Sequence, residues 1–197
     1  MGLRLVLVLA FFAVCIAYLY VTWSKEEGGF PESASPGSGG LAVTFFDVGQ
    51  GDAVLLRCGG ETMLVDAGTS EMGEHVVKRL SEMGVARLSA VFLSHPHADH
   101  IGGMEAVMRA IPCGECLSAL QESSTYPFAL LKAYFGERFR VVSPGETFSL
   151  GEAEITVLGP PVTGGELSVN NQSMVLRADY GLVSFFLTGD KIGRAHV

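Results

Sequence analysis

Three of the chain's five histidines lie within six residues, in "SHPHADHIGG" (residues 94–103): His95, His97 and His100, with Asp99 among them. A solvated loop has no need of three imidazoles, since Glu or Lys supplies charge more simply. His-x-His in an extended segment can aim both rings into one cavity. Asp99 and His100, one turn later at the start of a helix, can point to a neighbouring spot. Neutral imidazole with carboxylate favours Zn or Mn over Ca or Mg. Pro96 stiffens the segment, and Gly102-Gly103 lets backbone pass close by. Two further acids, Asp66 and Asp190, each end an apolar run. The Gly49-Gln50-Gly51-Asp52 stretch fits equally well as a tight turn between strands or as a lip of the site. His75 reads as a surface or packing residue.

These residues need strand ends and helix starts to hold them. "LAVTFFDV", "AVLLRC" and "ETMLVDAG" are short β-rich runs separated by glycine pairs, and read as strands joined by tight turns. A helix follows, capped by Thr69 or Ser70, with Met72, Val76, Leu80 and Met83 at helical spacing and Gly84 as its stop. "RLSAVFLS" is a buried strand ending at the histidine cluster. Helices are predicted from Gly103 through Ala110 and from Tyr126 to Phe135. Strands are predicted near 138–142, 154–158, 173–180 and 183–188, the last running into Asp190. Strand, helix, strand implies a layered α/β arrangement.

The 197 residues suffice for one membrane or targeting element and one domain. Leu3 to Trp23 is apolar apart from Arg4, the two Tyr and Thr22, long enough to cross about 30 Å of hydrocarbon. It lacks an Ala-x-Ala cleavage site, and Tyr18, Tyr20 and Trp23 resemble an interfacial belt. Residues 1–24 are therefore expected to be an uncleaved single-pass anchor in the cell membrane, with the domain extracytoplasmic. Residues 25–40, rich in Gly, Pro, Ser and Glu, read as a flexible tether. Residues 41–190 carry nine Lys and Arg against eighteen Asp and Glu. That excludes a broad basic face for nucleic acid, though not a nuclease whose cations are metal ions. Cys113 and Cys116 have no second pair to complete a structural zinc site and read as ordinary thiols, a local disulfide being the alternative.

"FDVGQGDAVLL", "MLVDAG", "LSHPHADHIGG", "NNQSMVL" and "FFLTGD" occur in this order over residues 41–190. Together they resemble the metallo-β-lactamase superfamily, and within it the hydrolase domain of ComEC-type competence proteins of the DNA-uptake channel family. The resemblance implies an αββα sandwich, here with an incomplete second half. It implies two divalent ions, Zn or Mn: His95 and His97 on the first, Asp99 and His100 on the second, and Asp190 bridging them. Asp66 would orient the site. Asn171 would be a weak ligand or phosphate contact in the Asn170-Asn171-x-Ser173 segment, where an Asn-Asn turn is an equal alternative.

The chemistry implied is a metal-bridging hydroxide, oriented by Asp99 or Asp66 between cations about 3.5–4 Å apart. The substrate expected is a phosphodiester such as DNA or a nucleotide. The alternatives are another ester or a β-lactam, or a non-catalytic surface-anchored binding module with a vestigial metal site. In the resembled family a late histidine follows the bridging acid. Here "KIGRAHV" follows Asp190, and "IGRAHV" resembles a translated sequencing adapter. Residues 191–197 are thus expected to be a non-native tail on a truncated reading frame.

Overall fold

The computed structural model describes residues 39–160 and 168–192. The anchor expected over residues 1–24, all but the end of the tether, and the tail from residue 193 lie outside the described residues. Among the described residues no helix is long and apolar enough to cross a membrane.

Two sheets form the body. The first has six strands in chain order: β1 (Ala42–Phe45), β2 (Val54–Cys58), β3 (Glu61–Val65), β4 (Leu88–Leu93), β5 (Cys113–Ser118) and β6 (Phe139–Val141). β1 to β3 are antiparallel, and β3 to β6 run parallel. Four helices lie in the connections between β3 and β6: α1 (Gly73–Glu82), the single turn α2 (Ala98–Ile101), α3 (Met104–Ala110) and α4 (Tyr126–Phe135). The second sheet is antiparallel, in the order β10 (Val183–Leu187), β9 (Val175–Tyr180), β8 (Ala153–Gly159) and β7 (Thr147–Leu150).

Alternation along the strands divides the core in two. Leu55, Leu64, Val91 and Leu93 face the helices, where they meet Val76, Leu80, Met104, Val107 and Phe128. Their neighbours Val54, Leu56, Met63, Val65, Ala90 and Phe92 face the other sheet and pack on Ile155, Val157, Leu176 and Leu187. The described helices thus cover one face of the six-stranded sheet, and the second sheet covers the other. Leu182, Val183, Phe185 and Phe186 leave apolar surface along the edge strand β10.

The predicted helix at Tyr126–Phe135 forms as expected, and the one after Gly103 begins at Met104. The helix after Thr69 starts as a 3-10 turn over Ser70–Met72 before α1. Two strands were not anticipated. β5 carries a glycine, Gly114, where a Cβ would lie 2.1 Å from the Ser89 carbonyl oxygen on β4. The backbones need that gap, but in sequence it reads as a strand breaker. β7 is a short edge strand, "TFSL", with a single buried residue.

Candidate metal centre

The cluster assembles beyond the carboxyl ends of β3 and β4. Asp66 follows β3 in the left-handed region, at φ 56°. Such a conformation costs a non-glycine residue about 1–3 kcal/mol and persists only when its surroundings enforce it. Here its backbone N–H donates to Phe92 O at 3.0 Å, and Ala67 N–H donates to His100 O at 2.7 Å. These bonds tie the end of β3 to the metal motif. Gly103 allows the same approach: a Cβ there would lie 2.2 Å from Ala67 O.

Asp66 is fully buried and accepts three hydrogen bonds. Oδ1 accepts Ser94 N–H at 2.9 Å; Oδ2 accepts Ser94 Oγ–H at 2.5 Å and His100 Nδ1–H at 2.9 Å. Proton placement follows from this network. Ser94 has one hydroxyl proton, and Asp66 takes it, so the Ser94 oxygen accepts from His95 Nδ1–H, 3.0 Å away. Both imidazoles are thereby set to the same tautomer, each with a bare Nε2. Burial, followed by the like charge of His100, holds His95 below the ordinary imidazole range and favours the neutral, ligating form. Burial also pulls His100 down. The Asp66 hydrogen bond and the charges of Asp66, Asp190 and Asp52 outweigh it, and its pKa is raised.

The bare nitrogens converge with an acid from the other sheet. His95 Nε2 lies 3.0 Å from His97 Nδ1 and 3.9 Å from Asp190 Oδ2, and the three donors fall within 4.8 Å of one another. Two nitrogens on one tetrahedral zinc at about 2.0–2.1 Å would stand about 3.3 Å apart, so this spacing fits a cation. The other Asp190 oxygen, Oδ1, lies 3.3 Å from His100 Nε2, a buried atom with no hydrogen-bond partner. A lone pair set against a carboxylate is repulsive unless a proton or a metal cation lies between them, and the raised pKa of His100 reflects the same acidic surroundings. Asp190 therefore faces His95 and His100 with different oxygens.

Asp52, Asp66 and His100 are a second set of nearby donors. Yet both Asp66 oxygens and His100 Nδ1 are already engaged, so this set supports the centre and is not a separate cation site. Asp52 Oδ2 is 4.0 Å from His100 Nδ1. Burial raises the Asp52 pKa; His100 opposes the shift, and Asp66, Asp190 and Asp99 add to it. Its loop is clamped onto α2, because a Cβ on Gly51 would lie 1.7 Å from Asp99 O.

The remaining expected residues fall as follows. Asp99 stands in the first turn of α2 and joins neither donor set. Asn171 holds the segment after Asp190: its Oδ1 accepts Ile192 N–H at 3.1 Å, and its carbonyl oxygen accepts from Lys191 Nζ at 3.3 Å. Ser173 is fully buried with an unpartnered Oγ, and Met174 N–H donates to Ser94 O at 2.7 Å. His75 is exposed on α1. Ser94 was not singled out from sequence, and Asp52 only as part of the Gly49–Asp52 stretch. Ser94 had a signal in its place between a buried strand and the first histidine. Cys58, Cys113 and Cys116 are free, buried thiols.

Two packed sheets with acids and histidines gathered at the strand ends form the frame of this candidate metal centre. The chain belongs to the metallo-beta-lactamase superfamily, whose family model matches residues 46–191. It is 30% identical over 153 residues to Competence protein ComA of Neisseria gonorrhoeae, a match covering 76% of this chain and 20% of that protein. It is 43% identical over 56 residues to Ribonuclease Z of Treponema pallidum, covering 28% of this chain and 17% of that protein. The chain thus spans a fifth or less of the length of these two relatives. MEM-A1, a subclass B3 metallo-beta-lactamase from a soil metagenome library, shares the fold, with a TM-score of 0.52 and 20% identity over 75% of this chain and 58% of that one.

Proposed function

We propose that this chain is the hydrolase portion of a membrane-tethered, metal-dependent phosphodiesterase of the ComEC-like branch, acting on DNA or a nucleotide. The observation that carries the reading is Asp190 set between His95 Nε2 and His100 Nε2, one oxygen toward each. His95, His97 and Asp190 would hold one divalent ion, Zn or Mn, and His100, Asp190 and Asp99 a second. When bound, the ions supply Lewis acidity and an activated water. Asp66 and Ser94 keep the ligating nitrogens bare, and Asp52 and Asp99 border the mouth. The names of the competence and ribonuclease relatives favour a phosphodiester over a β-lactam.

In the same proposal residues 1–24 anchor the chain, 25–40 form a tether, and the domain over 41–190 is extracytoplasmic. Protease added to intact cells would remove an outward-facing domain, and full protection would refute that topology. For the activity, Mn- or Zn-loaded protein is assayed on single-stranded DNA, a β-lactam and a thioester. DNA cleavage that His97→Ala and Asp190→Asn both abolish, with the fold retained, is the expected result. Hydrolysis of the β-lactam or thioester alone would overturn the substrate assignment.

A further inference from the structure

Next to the metal motif lies a cleft of about 230 Å³ between α2 and the start of α4. Ala98, Ile101 and Gly102 form one wall; Tyr126, Pro127 and Leu130 form the other. Ala98 stands between His97 and Asp99, so this wall is the flank of the turn that carries the metal ligands. The volume is below the roughly 300–1,000 Å³ of pockets that enclose a whole ligand, which suits one flat group of a larger substrate.

Tyr126 is the unusual member. It is 72% exposed, and among the described residues its hydroxyl makes no hydrogen bond and its ring no aromatic or cation–π contact. A single exposed aromatic is ordinary on a protein surface; what sets this one apart from Phe45 and Phe186, also exposed, is its place on the cleft that flanks the metal-ligand turn. The loop before it is braced, so its position is defined: Thr125 N–H donates to Ser123 Oγ at 3.3 Å, and Lys132 Nζ donates to Gln121 O at 2.9 Å and Glu122 Oε1 at 2.6 Å. Pro127 fixes the first turn of α4 beneath it.

We propose that Tyr126 and this cleft form a stacking subsite for one nucleobase of a single-stranded substrate, beside the phosphodiester held at the metal centre. The inference rests on the phosphodiesterase reading and adds the substrate group that the site recognises. Base–aromatic stacking tolerates any base sequence, because every base has a π-face. It also suits this acidic domain, since it needs no array of cations.

The test compares an oligothymidylate with a strand of equal length made of abasic residues, which keeps the phosphates and removes the bases. Tyr126→Ala is expected to raise KM for the oligothymidylate about tenfold, corresponding to about 1.4 kcal/mol of stacking, with kcat little changed. Cleavage of the abasic strand should not change, and Tyr126→Phe should keep wild-type KM. Fluorescence anisotropy on metal-free protein gives a second readout, in which wild type prefers the base-bearing strand and Tyr126→Ala does not. Equal effects on both strands, or none on either, would overturn the subsite. Wild type that binds with this preference but cleaves neither strand would refute the phosphodiesterase reading and leave the subsite standing.

Discussion

Replacing Asp66 with Asn isolates the proton arrangement of the centre. The two side chains have the same shape, and Asn tolerates the φ of 56° at this position at least as well as Asp. In the wild type the carboxylate accepts from Ser94 N–H, Ser94 Oγ–H and His100 Nδ1–H. An amide can accept on one side only. If its oxygen keeps Ser94 N–H, its NH2 faces His100 Nδ1, which must then accept, and the His100 proton moves to Nε2. That nitrogen is the one directed at Asp190 Oδ1. A hydrogen bond to a charged group is worth about 1.5–3 kcal/mol, so forcing the ligating tautomer in the variant costs about 2 kcal/mol. At about 1.4 kcal/mol per tenfold, metal affinity falls about 30-fold, within the range typical for groups that orient metal-bound histidines. Competition with a chromophoric chelator measures the affinity, and far-UV circular dichroism checks the fold. An affinity within about threefold of wild type, with the fold intact, would refute the tautomer argument.

Gly51→Ala should unsettle the lip, since the new methyl would lie 1.7 Å from Asp99 O at a φ of 76°. A loss of about 3 kcal/mol or more is expected from clash and strain together, and thermal unfolding would show whether the loop yields instead. Chelation should lower the melting temperature of metal-loaded protein. At a free metal concentration 100 times Kd the ion contributes about 2.7 kcal/mol, or roughly 5–10 °C for a domain of this size, and no shift would argue against a bound ion. Burial pushes the Cys113 thiol up to about 11 and Cys116 higher still. Both stay protonated at pH 8, so a thiol reagent should label them only after denaturation, and prompt labelling of the native protein would contradict their burial.

The metal motif was legible because it is local: His95 to His100 need only a strand end and one helical turn to converge. Asp66 and Asp190 were legible through the resemblance and through their places at the ends of apolar runs. The support beneath them was not. That Ser94 meets Asp66 depends on the parallel pairing of β3 with β4, where Val65 stands opposite Phe92. Nothing within either strand announces that register. β5 was hidden for a related reason, its glycine being required by Ser89 on a neighbouring strand. For Asn171 the sequence leaves a weak ligand or phosphate contact and an Asn-Asn turn as equal readings; the structure shows a turn over Asn170–Gln172 and a bond to the segment after Asp190, 21 residues away in the chain.

Asp190 comes from the end of β10 and the histidines from the end of β4, so the donors hang from opposite halves of the sandwich. A captured ion would act as a rivet through both plates. Its grip would be set by how firmly Phe92, Ile155, Leu176 and Leu187 hold those plates together, and the rivet would strengthen that hold in return. Conservative trimming of this apolar layer, far from any ligand, would therefore register as weaker metal binding.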